Sequence, residues 1–203
     1  NQGTLTIMKN KLAKIISYLF VPPINLLITF VILTTQVYLD SKLILVSILL
    51  AFIFGLALPI LVFVYLRKKG KILNDDATIK DERTLPYIIG TGLAINALVL
   101  AFIFKLHPII LALWLAYVLI QIIMIIINLY WKISAHLIGI GIPIATLYFL
   151  YQFDMIYFLI LPLIIAWARL ALKVHTPMQL LAGFLLGTVP TYYILTESIK
   201  FLT

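Results

Sequence analysis

Residues 168–179, Ala-Arg-Leu-Ala-Leu-Lys-Val-His-Thr-Pro-Met-Gln, place Arg169, Lys173 and His175 between two of the most apolar stretches of the chain. Charge is costly in hydrocarbon, so an ionisable cluster at a membrane boundary points to function. Thr176-Pro177 reads as a helix cap followed by a first-turn proline. That sets the His175 imidazole at a helix amino terminus, where free N–H groups and the dipole favour an anion. Gln179, one turn on, shares a face with His175 and is positioned to accept a hydrogen bond from it. Two further clusters, Ser134-Ala135-His136 and the Lys80–Arg83 segment, add a hydroxyl, a second imidazole and more positive charge. This inventory suits phosphoryl transfer. Cations neutralise the phosphate oxygens, one imidazole attacks phosphorus and the other protonates the leaving oxygen. No cluster has three ligands at metal spacing, so neither a metal nor a cofactor is implied.

The elements that must carry these residues are transmembrane helices. Of the 203 residues 64% are hydrophobic and 11% charged, outside the soluble globular range. About 20 helical residues cross a hydrocarbon core of roughly 30 Å. On that ruler the chain reads as a single all-α transmembrane bundle over residues 1–203 with six to seven spans. The expected spans are 12–37 (bent at Pro22-Pro23), 43–66, 86–104, 109–130, 134–151, 155–172 and 177–195, with the motifs confined to about residues 80–195. Arg67 to Arg83 is the one long loop, and Gln152-Phe153-Asp154 a short turn. Helix is required because lipid offers the backbone no partners, and no barrel-like alternation is present. Met8-Lys9-Asn10-Lys11 reads as a natural start, so residues 1–7 are set aside. The absence of cysteine excludes disulfide and thiolate chemistry.

Parity then joins the clusters. Two spans separate Lys80–Arg83 from Ser134-Ala135-His136, and two more separate that triplet from Arg169 and His175, so all three emerge at one membrane face. Of the 15 Lys and Arg residues, all but Lys42, Lys105 and Lys200 lie on that face. The positive-inside rule makes it cytoplasmic, in a bacterial inner or plasma membrane. The net charge of +8 reports loops and contact with anionic headgroups, not nucleic acid.

The motifs resemble the type 2 phosphatidic acid phosphatase superfamily of membrane lipid phosphatases. The resemblance rests on Arg169-(five residues)-His175-(three residues)-Gln179, preceded by Ile133-Ser134-Ala135-His136, and covers roughly Lys80 to Gln179. The family carries Ser-Arg-(five)-His-(three)-Asp, an earlier Pro-Ser-Gly-His and a Lys-(six)-Arg-Pro segment. The resemblance implies a metal-independent phosphatase acting on a phospholipid, isoprenyl or glycolipid phosphate or diphosphate. It makes His175 the nucleophile that forms a phosphohistidine and His136 the general acid. Arg169, Ser134 and the Ala135 backbone would bind the phosphate, with Arg83, Lys80 and Lys173 as further phosphate contacts. The chain departs from the pattern at Ala168 and Gln179, where the family has serine and aspartate. The Lys80-Asp81-Glu82-Arg83-Thr84-Leu85-Pro86 segment does not keep the family spacing.

Two other readings stand beside this one: a binder of lipid phosphates that no longer turns over, and a transporter or structural membrane protein. Arg169 and Lys173 also fit interfacial anchors that snorkel from a helix end. His107 reads as a turn residue, and Asn96, Gln121 and Asn128 as bonds between helices. Asp75, Asp76, Asp81 and Glu82 read as a solvated loop face, and Trp114, Trp131 and Trp167 as belt or packing.

Overall fold

The structure, a computed structural model, describes residues 2–74, 79–152 and 158–200. The expected positions of Asp75, Asp76, Phe153, Asp154 and the start of the sixth span at Met155 lie outside them. The described elements are helical: α1 (Gln2–Leu19), α2 (Pro22–Val37), α3 (Ser41–Leu50), a π-helical segment (Ala51–Ala57), α4 (Leu58–Lys68), a short 3₁₀ turn (Asp81–Arg83), α5 (Thr84–Ile103), α6 (Pro108–Tyr130), α7 (Ala135–Tyr151), α8 (Ile160–Ala171) and α9 (Pro177–Lys200). Hydroxyls inside the bundle turn back on their own helices. Thr29 donates to the Asn25 carbonyl at 2.6 Å, Thr34 to Phe30 at 2.7 Å and Thr191 to Gly187 at 2.7 Å, which satisfies them without water.

Among the described residues four helices are long and apolar enough to cross a membrane: Ser41–Lys68, Asp81–Ile103, Pro108–Tyr130 and Pro177–Lys200. The expected first span is a broken pair, with α1 and α2 bent by 45° at the diproline. Pro22 pushes Val21 into extended backbone (φ −64°, ψ 144°), and the prolines offer no N–H to continue the ladder. The expected fifth span, 134–151, is matched almost to the residue by α7, and among the described residues the expected sixth span is represented by α8. α7 has 17 residues and α8 has 12, about 26 and 18 Å of helix at 1.5 Å per residue.

Large apolar side chains face outward as well as inward, as lipid permits. Ile88, Ile95 and Phe102 of α5 are 53%, 43% and 71% exposed, whereas Ala94, Ala97 and Ala101 of the same helix are buried. The small inward residues let α5 pack closely on α6. At the centre Phe30 of α2 lies on Trp114 of α6, ring centroids 4.4 Å apart, with Tyr117 beside them.

Candidate functional site

The site is built where two parallel helices begin side by side. α7 and α9 both start at the same membrane face and run away from it, and they touch backbone to backbone. A Cβ on Gly183 would lie 2.7 Å from the Ser134 carbonyl oxygen, and one on Gly187 only 2.4 Å from that of Ile138. Small residues four apart permit this approach in lipid. Ser134 and His136 at the head of α7 are thereby held beside His175 and Gln179 at the head of α9. The Ser134 N–H donates to the Gln179 carbonyl at 3.3 Å, across the two helix starts.

Ser134, fully buried, is the N-cap of α7; its Oγ accepts from the Leu137 N–H at 3.4 Å, and its hydroxyl hydrogen remains able to donate. Ala135 is the first helical residue, in a turn whose N–H groups have no intrahelical partners. The cations arrive from two other elements. Arg83, 4% exposed, closes the 3₁₀ turn, donates through Nη1 to the Ile133 carbonyl at 3.2 Å and hydrogen-bonds the Tyr87 hydroxyl one turn along α5. Arg169, fully buried in the last turn of α8, donates through Nη1 to the Ser17 hydroxyl at 3.0 Å. Ser17 belongs to α1, and its carbonyl accepts from Nε2 of His136 at 3.2 Å.

His175 sits in the turn between α8 and α9, 7% exposed, with neither ring nitrogen hydrogen-bonded among the described residues. Burial, above all, pushes its imidazole down to about 2, and the positive charges of Arg83, Arg169 and Lys132, with His136, add to the effect. The ring is therefore neutral across the physiological range, with a lone pair available for attack. Every group acting on it is a cation or an imidazole, so the ring lies in a region of positive potential.

His175 also lines a cavity between the helices. A cavity of about 560 Å³ has Arg67, Arg83, His136 and His175 at one end, and Phe54, Leu93, Ala94, Trp114 and Tyr117 in its depth. From Arg83 to Ala94 along α5 is about 16 Å of helix rise, roughly half of a 30 Å hydrocarbon core. The cavity has the depth of one leaflet, with charge at the mouth and apolar walls below.

Of the residues singled out from sequence, Arg83, Ser134, Ala135, His136, Arg169 and His175 come together at this face. Three others do not join them. Gln179 does not hold His175: its Oε1 accepts from the Thr176 N–H at 3.0 Å, and its own N–H donates to Thr176 Oγ1 at 3.4 Å. Thr176-x-x-Gln179 is a capping box. It occupies the Thr176 and Gln179 N–H groups at the head of α9. Lys80 donates to the Leu129 carbonyl at 2.7 Å, and its own carbonyl accepts from Asn128 Nδ2 at 3.1 Å. Lys80 thus satisfies an orphan acceptor at the end of α6. Lys173 is exposed and takes the left-handed position (φ 55°) that ends α8. There its N–H bonds to Leu170 and that of Val174 to Arg169, a Schellman stop.

Sequence reasoning passed over three residues here. Ser17 is signalled only by its place one turn before the diproline. Lys132 lies two residues before the serine–histidine triplet but looks like an ordinary topology cation. Tyr87 lies four residues after Arg83, on the same helical face. Among the described residues no three His, Cys, Asp or Glu side chains gather as metal ligands. No family model matches the chain, and neither a curated protein nor a solved structure matches it.

Proposed function

We propose that this protein is an integral membrane phosphatase that hydrolyses a lipid phosphate or diphosphate through a phosphohistidine intermediate, without a metal. The observation that carries the reading is His175: a buried, neutral imidazole with no hydrogen-bond partner among the described residues, surrounded by cations, at the charged mouth of a leaflet-deep apolar cavity. The resemblance of Arg169, His175 and Ser134-Ala135-His136 to the type 2 phosphatidic acid phosphatases supports the same chemistry.

In this reading the lipid tail lies along α5 and α6 while the phosphate enters between Arg83, Arg169 and the head of α7. A nitrogen of His175 attacks phosphorus, and the phosphorus–oxygen bond to the lipid breaks. The leaving oxygen takes a proton from the His136 imidazolium. Water then attacks the phosphohistidine and gives a proton to His136, and the phosphorus–nitrogen bond breaks to release inorganic phosphate and neutral His175. Buried cations aimed at the equatorial oxygens supply transition-state stabilisation that water would dilute. The cation-rich face supports a site in the cytoplasmic leaflet.

The purified protein in detergent, given phosphatidic acid, lysophosphatidic acid and isoprenyl phosphates and diphosphates without metal, should release phosphate, and His175→Ala should release none. Turnover that survives in His175→Ala excludes the covalent route. The capping-box placement of Gln179 favours a second reading, lipid-phosphate binding without turnover. Binding of those lipids with no phosphate release on any of them would establish it.

A further inference from the structure

The break between α1 and α2 leaves a set of carbonyls to be satisfied. In the last turn of a helix these groups have no intrahelical partner. The Ile16 carbonyl is taken by the Phe20 N–H at 3.1 Å and the Phe20 carbonyl by Asn25 Nδ2 at 3.1 Å. The carbonyl of Ser17 lies between these two along the chain. In a continuous helix it would pair with the Val21 N–H, but Val21 is extended. His136, from the head of α7, takes it instead at 3.2 Å. The hydroxyl of the same residue accepts from Arg169 at 3.0 Å.

Ser17 is 3% exposed, and Ala13, one turn earlier, is fully buried, whereas residues 4 to 12 of α1 are exposed. α1 thus packs through its last turns only, against α8, and delivers Ser17 to the site. The diproline produces this: it ends the helix at the point where a carbonyl and a hydroxyl from one residue face both an imidazole and a guanidinium.

We propose that Ser17 is a positioning residue of the phosphate site, its carbonyl fixing His136 as the Nε2–H tautomer and its hydroxyl fixing the Arg169 guanidinium. The proposal rests on the phosphatase reading only for its kinetic consequences. A carbonyl accepts from Nε2–H whether the ring is neutral or charged. His136 therefore gains and loses its transferable proton at Nδ1 without turning the ring, as an acid that becomes a base in the next step requires. Arg169 is held before the phosphate arrives, which removes the ordering of a long side chain from the cost of binding.

The full chain in detergent tests both contacts. Ser17→Ala deletes the hydroxyl and keeps the carbonyl. It should raise KM for the best lipid phosphate, and the orthovanadate concentration needed for inhibition, by about tenfold, as loss of a hydrogen bond to a charged group does. Its kcat and the acid limb of its pH profile should not move. Ser17→Thr restores the hydroxyl and should recover both constants to within about twofold, which a loss of stability alone would not predict. The carbonyl contact is read in the wild-type protein by ¹⁵N NMR of labelled histidine, where His136 should show the Nε2–H tautomer. An Nδ1–H tautomer, or unchanged KM and vanadate inhibition in Ser17→Ala, overturns the proposal. If the wild type hydrolyses none of the lipids, the phosphatase reading fails and affinity for inorganic phosphate replaces the kinetic arm. A tenfold weaker affinity in Ser17→Ala then still supports the Arg169 contact, and an equal affinity rejects it.

Discussion

Replacing His175 with glutamine removes one ionisable group from a pocket that tolerates only its neutral form, and the pH dependence of stability reports the effect. In an unfolded chain the imidazole titrates near 6.5; in the folded protein burial, then Arg83, Arg169, Lys132 and His136, push it down to about 2. The folded value lies below the unfolded one, so between them the unfolded chain binds a proton that the folded protein refuses. Stability is retained above pH 6.5 and lost progressively as pH falls below it. At pH 7 the loss is close to nil, whereas at pH 5 it reaches about 2 kcal/mol. At about 2–4 °C per kcal/mol for a chain of this size, the wild-type melting temperature should fall by about 4–8 °C more than that of His175→Gln between pH 7 and pH 5. Trp114, Trp131 and Trp167 provide an intrinsic fluorescence signal for melts in detergent. Excess inorganic phosphate should shrink the difference, because an anion beside the ring offsets the cations. Equal losses in the two proteins would refute the reasoning.

Three substitutions separate the site's parts. Gln179→Ala removes half of the capping box and should cost about 1 kcal/mol of stability while turnover persists; loss of turnover as complete as in His175→Ala would return Gln179 to the role of imidazole partner. In Gly187→Val the new side chain meets the Ile138 carbonyl, from which even a Cβ would be only 2.4 Å away. The heads of α7 and α9 must part, and kcat should fall by about 10²-fold or more; unchanged activity would mean that the seam does not set the geometry. Gly90 lines the cavity, and a Cβ there meets only the end of the Gln121 side chain, at 3.0 Å. Gly90→Leu should therefore fold, hydrolyse a tailless aryl phosphate normally and lose long-chain lipid phosphates, which equal activity on both would contradict.

Much of the architecture can be read from the chain, because lipid leaves few choices. Long apolar runs must be helices, Pro22-Pro23 must break one, and parity assigns Arg83, His136, Arg169 and His175 to one face. What stays hidden depends on competition between partners. Thr176-x-x-Gln179 suits a capping box and a histidine partner equally well on paper, and the local N–H groups win because they need no tertiary contact. Lys80 has the right charge for phosphate but lies within reach of the unsatisfied Leu129 carbonyl. Ser17 is the hardest to foresee, since half of its contribution is a backbone carbonyl, which every residue possesses.

The hydrogen bond from Arg169 to Ser17 spans 152 positions of sequence, and this has a consequence for biosynthesis. At about 5–20 residues per second, α1 leaves the ribosome roughly 8–30 s before its partner is made. During that interval the chain carries Lys80, Arg83, Lys132 and His136 into or beside the bilayer with the site unbuilt, and His175 and the parallel seam arrive only with α9. The site therefore appears in a single late step of membrane insertion. Nascent chains arrested after α7 should place their spans correctly and yet show no affinity for phosphate.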